Sequence, residues 1–334
     1  MRLNNLQILR GISALLVCCF HFRGDLNFGA QKWGDLLFGK GSIGVPIFYV
    51  ISGFIMVYTT TKLKGEHSAK NVISFLKKRV IRIIPLYYLL TFAWMILGGS
   101  FLLYFKAEGL QRVISSLLFL PQKDQFPVLF LGWSLNYEML FYLIFAVSLF
   151  FKTKRYLFLI LFFLTAMVLG KWYHFESSYL NMVTDFKNIY FIIGVLFGLY
   201  LSKIRLDNKI LQIISILFIV LFAAFFFNFF NFDNQFITVV SVSLFVLAFL
   251  IFDFFLKVKS SKFLVMLGDI SYSIYLSHPF VEIIFKRIHV ESPLMLILLF
   301  VLKLVVVIII SKILYEILEK RFTNYLKKEL LPKY

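Results

Sequence analysis

Ten long apolar runs are the feature of this sequence that most limits how it can fold. Each has close to the roughly 20 residues with which an α-helix crosses a bilayer. They lie at about residues 6–23, 43–61, 83–104, 128–151, 156–173, 186–202, 210–230, 236–256, 264–285 and 293–315. A shorter run, Val113–Leu120, ends at Pro121 and is expected to be re-entrant or interfacial. We therefore predict an all-α, polytopic integral membrane protein with about ten transmembrane helices.

The composition excludes the main alternatives to a membrane fold. Hydrophobic residues fill 60% of the 334 positions and include 43 Phe, more apolar surface than one soluble core of this size can bury. The net charge of +18 accompanies 19% aromatic residues, whereas disordered charged chains are poor in aromatics. We expect one transmembrane domain over residues 1–334, no separate soluble domain and no nucleic-acid partner.

Lysine and arginine in the short loops predict the orientation of the helices. With a cytoplasmic N-terminus, the inner segments carry 22 Lys and Arg and the outer loops carry ten. Basic residues collect in the loops that stay in the cytoplasm. Both termini are therefore predicted to be cytoplasmic, and most of the basicity is a topology signal.

The first apolar run holds two ionisable residues, Arg10 near its inner end and His21 near its outer end. Eleven residues make close to three helical turns, so the two side chains share one face and lie about 16 Å apart along the axis. Ionisable groups within a membrane are costly, which makes both residues candidates for a functional site. A packing or interfacial histidine is the structural alternative for His21.

A second basic group stands at the cytoplasmic end of the third run. Arg79 and Arg82 are three residues apart and share a helical face, which gives a fork suited to phosphate. The alternative is a membrane anchor that reaches lipid headgroups. Lys77 and Lys78 are expected to be such anchors.

The fourth run begins with Trp133 and Ser134 and carries Glu138 about 15 Å below its outer end. A carboxylate at that depth needs a cation or a proton. Arg10 and His21 are the available partners, and a purely structural ion pair is the alternative.

The ninth run is unusually polar for a membrane span. Its polar side chains line a hydrated cavity or hold neighbouring helices together, and both alternatives stay open. The candidate cavity residues there are Ser271, Tyr272, Tyr275 and His278.

Motifs for other chemistries are missing from the sequence. It has no P-loop, no Rossmann glycine pattern, no His-Glu-x-x-His motif and no serine-centred elbow. The adjacent Cys18 and Cys19 lack the spacing of a metal site. We expect no bound metal.

At these residues the sequence resembles the integral-membrane acyltransferase family 3, the O-acyltransferases of bacterial surface polysaccharides. Five motifs in the family's order span residues 9–279, which makes the match specific. They are Leu9-Arg10-Gly11 followed by His21, the segment 44–54, Arg79-x-x-Arg82 with Pro85 and Tyr87, Trp133-Ser134-Leu135 with Glu138, and the segment 271–279.

The resemblance implies transfer of an acyl group, usually acetyl from acetyl-CoA, to a hydroxyl of a surface glycan or lipid-linked glycan. The enzyme would lie in the bacterial inner membrane, with acyl-CoA as a co-substrate and no permanently bound cofactor. His21 would be catalytic, either as general base or as an acyl-imidazole. Glu138 would orient His21 or neutralise Arg10.

The donor site implied by the resemblance is basic. The phosphates of acyl-CoA suit Arg79 and Arg82, with Tyr87 beside them, and Arg10 would line the path of the pantetheine arm. Trp133, Ser134 and the polar residues of the ninth run would line the cavity.

Two departures from the family's pattern accompany the match. Pro46 stands where the family usually has an acidic residue after Gly-Val. The chain ends at Tyr334, before the extracytoplasmic esterase-like domain that longer relatives carry.

Other functions stay open from the sequence alone. A transporter or flippase of a lipid-linked glycan, or a succinyl or other acyl transferase of the same fold, would also explain the buried charges. The acceptor hydroxyl and the oligomeric state are likewise open.

The charge asymmetry of the loops makes a direct prediction about topology. Reporter fusions after Leu63, Lys154, Leu206 and Lys259 should all report the cytoplasm, because these sites lie in the segments rich in Lys and Arg. An external signal from two of the four fusions would contradict the predicted orientation.

Overall fold

The computed structural model describes residues 2–28, 31–61, 68–98, 101–229, 234–288 and 290–330, and these are almost entirely helical. The α-helices are α1 Asn4–Phe22, α2 Trp33–Phe38, α3 Gly44–Thr60, α4 Ser68–Leu97, α5 Ala107–Leu117, α6 Gly132–Ser148, α7 Arg155–Trp172, α8 Ser178–Thr184, α9 Ile189–Tyr200, α10 Asn208–Phe226, α11 Gln235–Ile251, α12 Lys262–Asp269, α13 Ser271–Phe285, α14 Pro293–Leu314 and α15 Thr323–Leu330. The all-α prediction is confirmed for the part of the chain that the structure describes.

Short segments of other kinds connect these helices. Six are 3₁₀ helices in the described ranges, Arg23–Leu26, Gly41–Ile43, Phe101–Phe105, Leu149–Lys154, Phe186–Asn188 and Leu201–Lys203, and two are π-helical, Phe252–Leu256 and Tyr315–Phe322. Two-residue strands, β1 Asn27–Phe28 and β2 Gln31–Lys32, pair antiparallel.

Eight segments of the described chain are long and apolar enough to cross a membrane. They are Asn4–Leu26, Trp33–Thr60, Ala69–Leu97, Gly132–Trp172, Phe186–Lys203, Asn208–Phe226, Gln235–Leu256 and Pro293–Leu330. The segment Gly132–Trp172 contains two of the predicted runs, which form α6 and α7. A kink separates the two helices, at Lys152 with a φ of 49°. The count of ten spans and the orientation of the termini stay predictions.

The ninth predicted run does not form one long helix. It is divided at Ile270 into α12, of eight residues, and α13, of 15 residues. Ile270 has a φ of −89° and a ψ of 5°, which ends α12 directly after the polar pair Gly268-Asp269. Neither piece has the roughly 20 residues of a full span.

The short run before Pro121 forms the C-terminal part of α5, which begins earlier, at Ala107. Leu110 and Ile114 are exposed on one side, whereas Val113 is buried. Eleven residues are too few to cross a bilayer. The re-entrant or interfacial placement of this segment stays a prediction.

The helices group into two compact units. The first unit comprises Met1–Ile51 and Leu199–Ile313, and the second comprises Ser52–Gly198 and Leu314–Tyr334. The divisions fall inside α3, α9 and α14. The single domain expected from the sequence stays a prediction.

In the first unit, α1 packs against α11, α12 and α13. Its first turn is fixed by the buried carboxylate of Asp253, which accepts hydrogen bonds from the backbone N–H groups of Asn5 at 2.9 Å and Leu6 at 2.8 Å. These donors have no partner within the helix, and a negative charge is favourable at a helix N-terminus. A buried acid thereby defines where α1 begins.

In the second unit, aromatic rings fill the contacts between helices. Phe141 of α6 stacks on Phe191 of α9 at 4.4 Å between ring centroids and on Phe163 of α7 at 6.1 Å. Arg155 at the start of α7 donates to the carbonyl of Thr60 at 2.7 Å, which satisfies the end of α3. These contacts hold α3, α6, α7 and α9 around one core.

The contact between α1 and α12 depends on two glycines. A Cβ on Gly268 would lie 2.0 Å from the carbonyl oxygen of Gln7, and one on Gly11 would lie 2.9 Å from the nitrogen of Gly268. Both distances are shorter than atoms allow, so the two backbones can approach this closely only without side chains at these positions.

Gly268→Ala is therefore expected to destabilise the protein by about 1–3 kcal/mol, the usual cost of overpacking. The measurement is thermal unfolding of the purified protein in detergent. Gly24→Ala is the matched control, since no atom lies within 4 Å of the position of its Cβ. Equal melting temperatures for Gly268→Ala and wild type would show that the contact between α1 and α12 does not require glycine at this position.

Candidate functional site

The first unit brings two histidines together. His21 lies in the last turn of α1, and His278 lies in α13. Their ring centroids are 5.0 Å apart with 35° between the ring planes. The sequence marked both residues as candidates without pairing them.

His278 is completely buried, and this limits what can hold its ring. Nδ1 lies 3.4 Å from the carbonyl oxygen of Ile274, one turn earlier in α13. Nε2 is buried without a hydrogen-bond partner among the described residues. The rings of Phe22 and Tyr275 stand 6.2 Å away, centroid to centroid. The His21 ring, at 5.0 Å, is nearer to the His278 ring than either of these.

The polar face of α13 has two roles, which the sequence left as alternatives. Ser277 forms a hydrogen bond of 3.0 Å with Ser311 of α14 and so joins two helices. Tyr275 and His278 lie on the His21 side. Ser271 is buried, and its hydroxyl has no hydrogen-bond partner within the described ranges, whereas Tyr272 is half-buried. α13 thereby both packs the helices and contributes to the histidine site.

Arg10 is half-buried on α1, where its Nη1 donates to Oε1 of Gln7 at 2.9 Å. Nε2 of Gln7 lies 3.4 Å from Asp269 at the end of α12, and Arg2 donates to both oxygens of the same carboxylate. Arg10 therefore belongs to a polar network at the start of α1. His21 lies 11 residues further along the same helix.

An ion cluster around a buried lysine near His21 was missed by the sequence reasoning. Lys303 is only 2% exposed in α14, and its ammonium lies 2.7 Å from Asp25 and 3.0 Å from Glu282. It also stands 5.5 Å from the ring of Phe22, the residue after His21. The signal was available, because Lys303 is a cation in the middle of an apolar helix.

The second unit holds Glu138 and Arg79. Oε1 of Glu138 accepts hydrogen bonds from Ser52 at 3.0 Å and from the hydroxyl of Tyr142. The guanidinium carbon of Arg79 lies 5.2 Å from the Tyr142 ring centre and 5.3 Å from that of Phe75, within electrostatic reach of Glu138. Glu138 thus has hydroxyl partners and a nearby cation in its own unit, whereas the sequence pointed to Arg10 or His21.

The two arginines of the predicted phosphate fork have different environments. Arg79 is half-buried, and its Nε has no hydrogen-bond partner among the described residues, whereas Arg82 is exposed. Lys78 is also exposed, and Lys77 donates to the carbonyl of Leu330. Because Arg79 is half-buried, it does not act as a surface anchor alone. Arg82 is exposed and can be reached by an anion from solvent.

The remaining predicted residues of the second unit divide between packing and a cleft. Tyr87 is completely buried, donates to the carbonyl of Ser116 at 3.3 Å and stacks on Phe119 at 5.0 Å. The buried Ser134 donates to the carbonyl of Leu131 within its own turn. Both make the contacts of packing residues. Trp133 instead lines an open cleft.

That cleft has a volume of about 450 Å³ and lies at the start of α6. Its walls come from the loop 121–127, the first turns of α6 and the region 175–185 around α8. We call it the α6 cleft. Its volume lies within the usual range of small-molecule sites.

The described residues give no sign of a metal centre. Within those ranges, no three His, Cys, Asp or Glu side chains lie close enough together to hold a metal ion. The ionisable groups described above are imidazole, guanidinium, ammonium and carboxylate side chains.

The fold and these groups define a class of protein: a helical membrane protein with ionisable side chains gathered inside its helices. The family model for the acyltransferase domain of family 3 matches residues 3–316. The chain belongs to this family of membrane acyltransferases.

One curated relative extends the comparison. The chain is 31% identical over 264 residues to the exopolysaccharide production protein ExoZ of Rhizobium meliloti (strain 1021). The alignment covers 76% of this chain and 80% of ExoZ. No solved structure matches the chain.

Proposed function

We propose that the protein transfers an acyl group, acetyl in the first instance, from cytosolic acyl-CoA to a hydroxyl of a surface glycan such as an exopolysaccharide. The observation that carries the proposal is the contact between His21 and His278 within a membrane acyltransferase fold. The name of ExoZ, an exopolysaccharide production protein, supports a polysaccharide acceptor. The proposed location is the bacterial inner membrane.

In the proposed reaction, His21 takes the proton from the acceptor hydroxyl as its oxygen attacks the thioester carbonyl. A C–O bond forms and the C–S bond breaks, so the acyl group passes to the sugar. The imidazolium then returns the proton to the leaving thiolate of CoA. A route through an acyl-imidazole on His21 would use the same atoms in two steps.

His278 acts as a positioning residue in this scheme. Its ring lies against that of His21 and is itself held between Phe22 and Tyr275. A base accelerates proton transfer only when it is held within reach of the proton it removes. The Lys303 cluster would steady the turn Arg23–Leu26 that follows His21, because Asp25 belongs to that turn.

The donor side of the proposal rests on the arginines. CoA carries several phosphate charges, and guanidinium groups bind phosphate through paired hydrogen bonds. Arg82 is exposed and could meet these phosphates from the cytosol, with Arg79 one turn away on the same helix. Arg10 is proposed to line the route of the pantetheine arm along α1.

The enzyme is favoured over a transporter or flippase by the family match, since that match is to an acyltransferase domain. Succinyl or another acyl group is the alternative donor chemistry within the same proposal. Membrane lipids surround the helices, and no resident cofactor is proposed.

His21→Ala should lower kcat by roughly 10²–10⁴-fold, the usual contribution of a general base. The assay follows acyl transfer from radiolabelled acetyl-CoA by purified protein. His174→Ala is the matched control, because His174 is exposed after the end of α7. More than half of wild-type activity in His21→Ala would rule out the assigned role.

Arg82→Ala should raise the KM for acetyl-CoA by about 10- to 100-fold and change kcat little, because a contact remote from the thioester persists from ground state to transition state. Calorimetry with CoA and dephospho-CoA checks the binding itself. Arg82→Lys should recover part of the affinity, since an ammonium keeps the charge but loses the fork.

Lys78→Ala provides the control for this experiment, since it removes an exposed cation from the same helix. It should leave CoA binding unchanged. If Arg82→Ala binds CoA as well as wild type does, Arg82 is a membrane anchor. If wild-type protein binds neither ligand, the acyltransferase proposal fails.

A further inference from the structure

The α6 cleft contains groups that the proposed donor chemistry does not use. Asn136 and Tyr137 lie three and four residues after Trp133 in α6, so the three side chains share one face of the helix. All three line the cleft. Glu138 is the next residue along the chain. The half-buried carboxylate of Glu138 is therefore adjacent in sequence to a residue that lines the cleft.

Asn136 supplies an unused hydrogen-bond acceptor to this cleft. Its side chain is 97% buried, and Oδ1 has no hydrogen-bond partner among the described residues. Oε1 of Gln122, which also lines the cleft, is likewise buried and unpartnered within the described ranges. Buried polar atoms are normally hydrogen-bonded. Two unpartnered amide oxygens on residues that line one cleft favour a ligand that carries hydrogen-bond donors.

Two of the aromatic residues that line the cleft contact each other. Trp133 and Tyr137 stand edge to face, with 6.1 Å between ring centroids. The hydroxyl of Tyr137 donates to Asp185 at 2.7 Å, and Asp185 is held in turn by Lys187 at 2.9 Å. Rigid rings with a polar tip offer apolar faces to a ligand at a low cost in conformational entropy. A ligand with both C–H faces and hydroxyl groups matches this wall.

The charges that line the cleft select against anions. Three carboxylates, Asp124, Glu176 and Asp185, line it, and Lys123 is the one cation among its lining residues, all of which the structure describes. Lys187 offsets Asp185, so the cleft keeps an excess of negative charge. An anionic ligand would be repelled, because like charges facing each other are destabilising.

We propose that the α6 cleft binds an uncharged sugar unit of the acceptor glycan and rejects units that carry a carboxylate, such as uronic acids. The sugar hydroxyls would donate to Asn136 and Gln122, and the sugar ring would lie against Trp133. This inference rests on the proposed function, because it assigns the cleft to the acceptor of that reaction. It narrows the acceptor from surface glycans in general to those with neutral units.

The test is saturation-transfer NMR on the full-length protein in detergent, with oligosaccharides as probes. The neutral probes are cellotetraose, maltotetraose and β-1,4-galactotetraose, and the anionic probe is tetragalacturonate. At least one neutral probe should receive saturation from the protein, and tetragalacturonate should receive none. No signal from any neutral probe, or an equal signal from tetragalacturonate, would overturn the proposal.

Variants locate the binding within the molecule. Trp133→Leu and Asn136→Leu should each reduce the neutral signal at least fivefold, because they remove the ring face and the amide acceptor. Trp172→Leu is the matched control, since Trp172 is exposed at the end of α7 and does not line the cleft. A neutral signal that survives both substitutions in α6 would place the sugar elsewhere and overturn the assignment.

A gain of binding tests the charge argument directly. Asp124→Lys combined with Glu176→Lys changes two exposed residues and reverses the charge of the cleft. This variant should bind tetragalacturonate, and its failure to do so would refute the electrostatic selection.

CoA binding, measured on every variant, separates this inference from the function on which it rests. Retained CoA binding in Trp133→Leu and Asn136→Leu also shows that these variants are folded. Sugar binding without CoA binding in wild type would defeat the acyltransferase proposal and leave the cleft as a sugar site. CoA binding without sugar binding would refute only the assignment of the α6 cleft as a sugar site.

Discussion

The close approach of α1 and α12 is the contact on which the histidine site depends. Gly11 and Gly268 let the two backbones meet where any side chain would overlap a backbone atom. α12 is followed directly by α13, so this contact also positions the helix that carries His278. The carboxylate of Asp253 fixes the start of α1, and the ring of His21 at its other end meets His278. Loss of the contact between the two glycines would therefore change the positions of both His21 on α1 and His278 on α13.

Asp253, Lys303 and Glu138 are charged groups among the helices, and each lies next to groups that compensate its charge. Asp253 is neutralised by helix N–H groups, and Lys303 lies between Asp25 and Glu282. Glu138 has two hydroxyl donors and the Arg79 charge close by. An unpaired charge in an apolar medium is far more costly than a paired one. These pairs allow a membrane protein to keep reactive groups among its helices.

The proposed reaction assigns different tasks to groups that differ in exposure. His278 is buried and His21 is half-buried, which limits the access of water to the proton transfer. Arg82 is exposed, which suits capture of a polyanionic donor from solvent. The α6 cleft is open and lined by aromatic and amide groups, which suits a sugar. Each local environment follows from which side chains the helices present at that point.

The sequence by itself determined the helical class and the positions of the costly polar residues, because hydrophobicity and helical spacing are local properties. It also marked His21, Arg79 and Glu138 through the family's motifs. Only the tertiary structure decided that His278 lies against His21, that Lys303 completes an ion cluster and that the ninth run breaks at Ile270. Those outcomes depend on which faces of distant segments meet. The spacing of residues within one segment gives no information about such contacts.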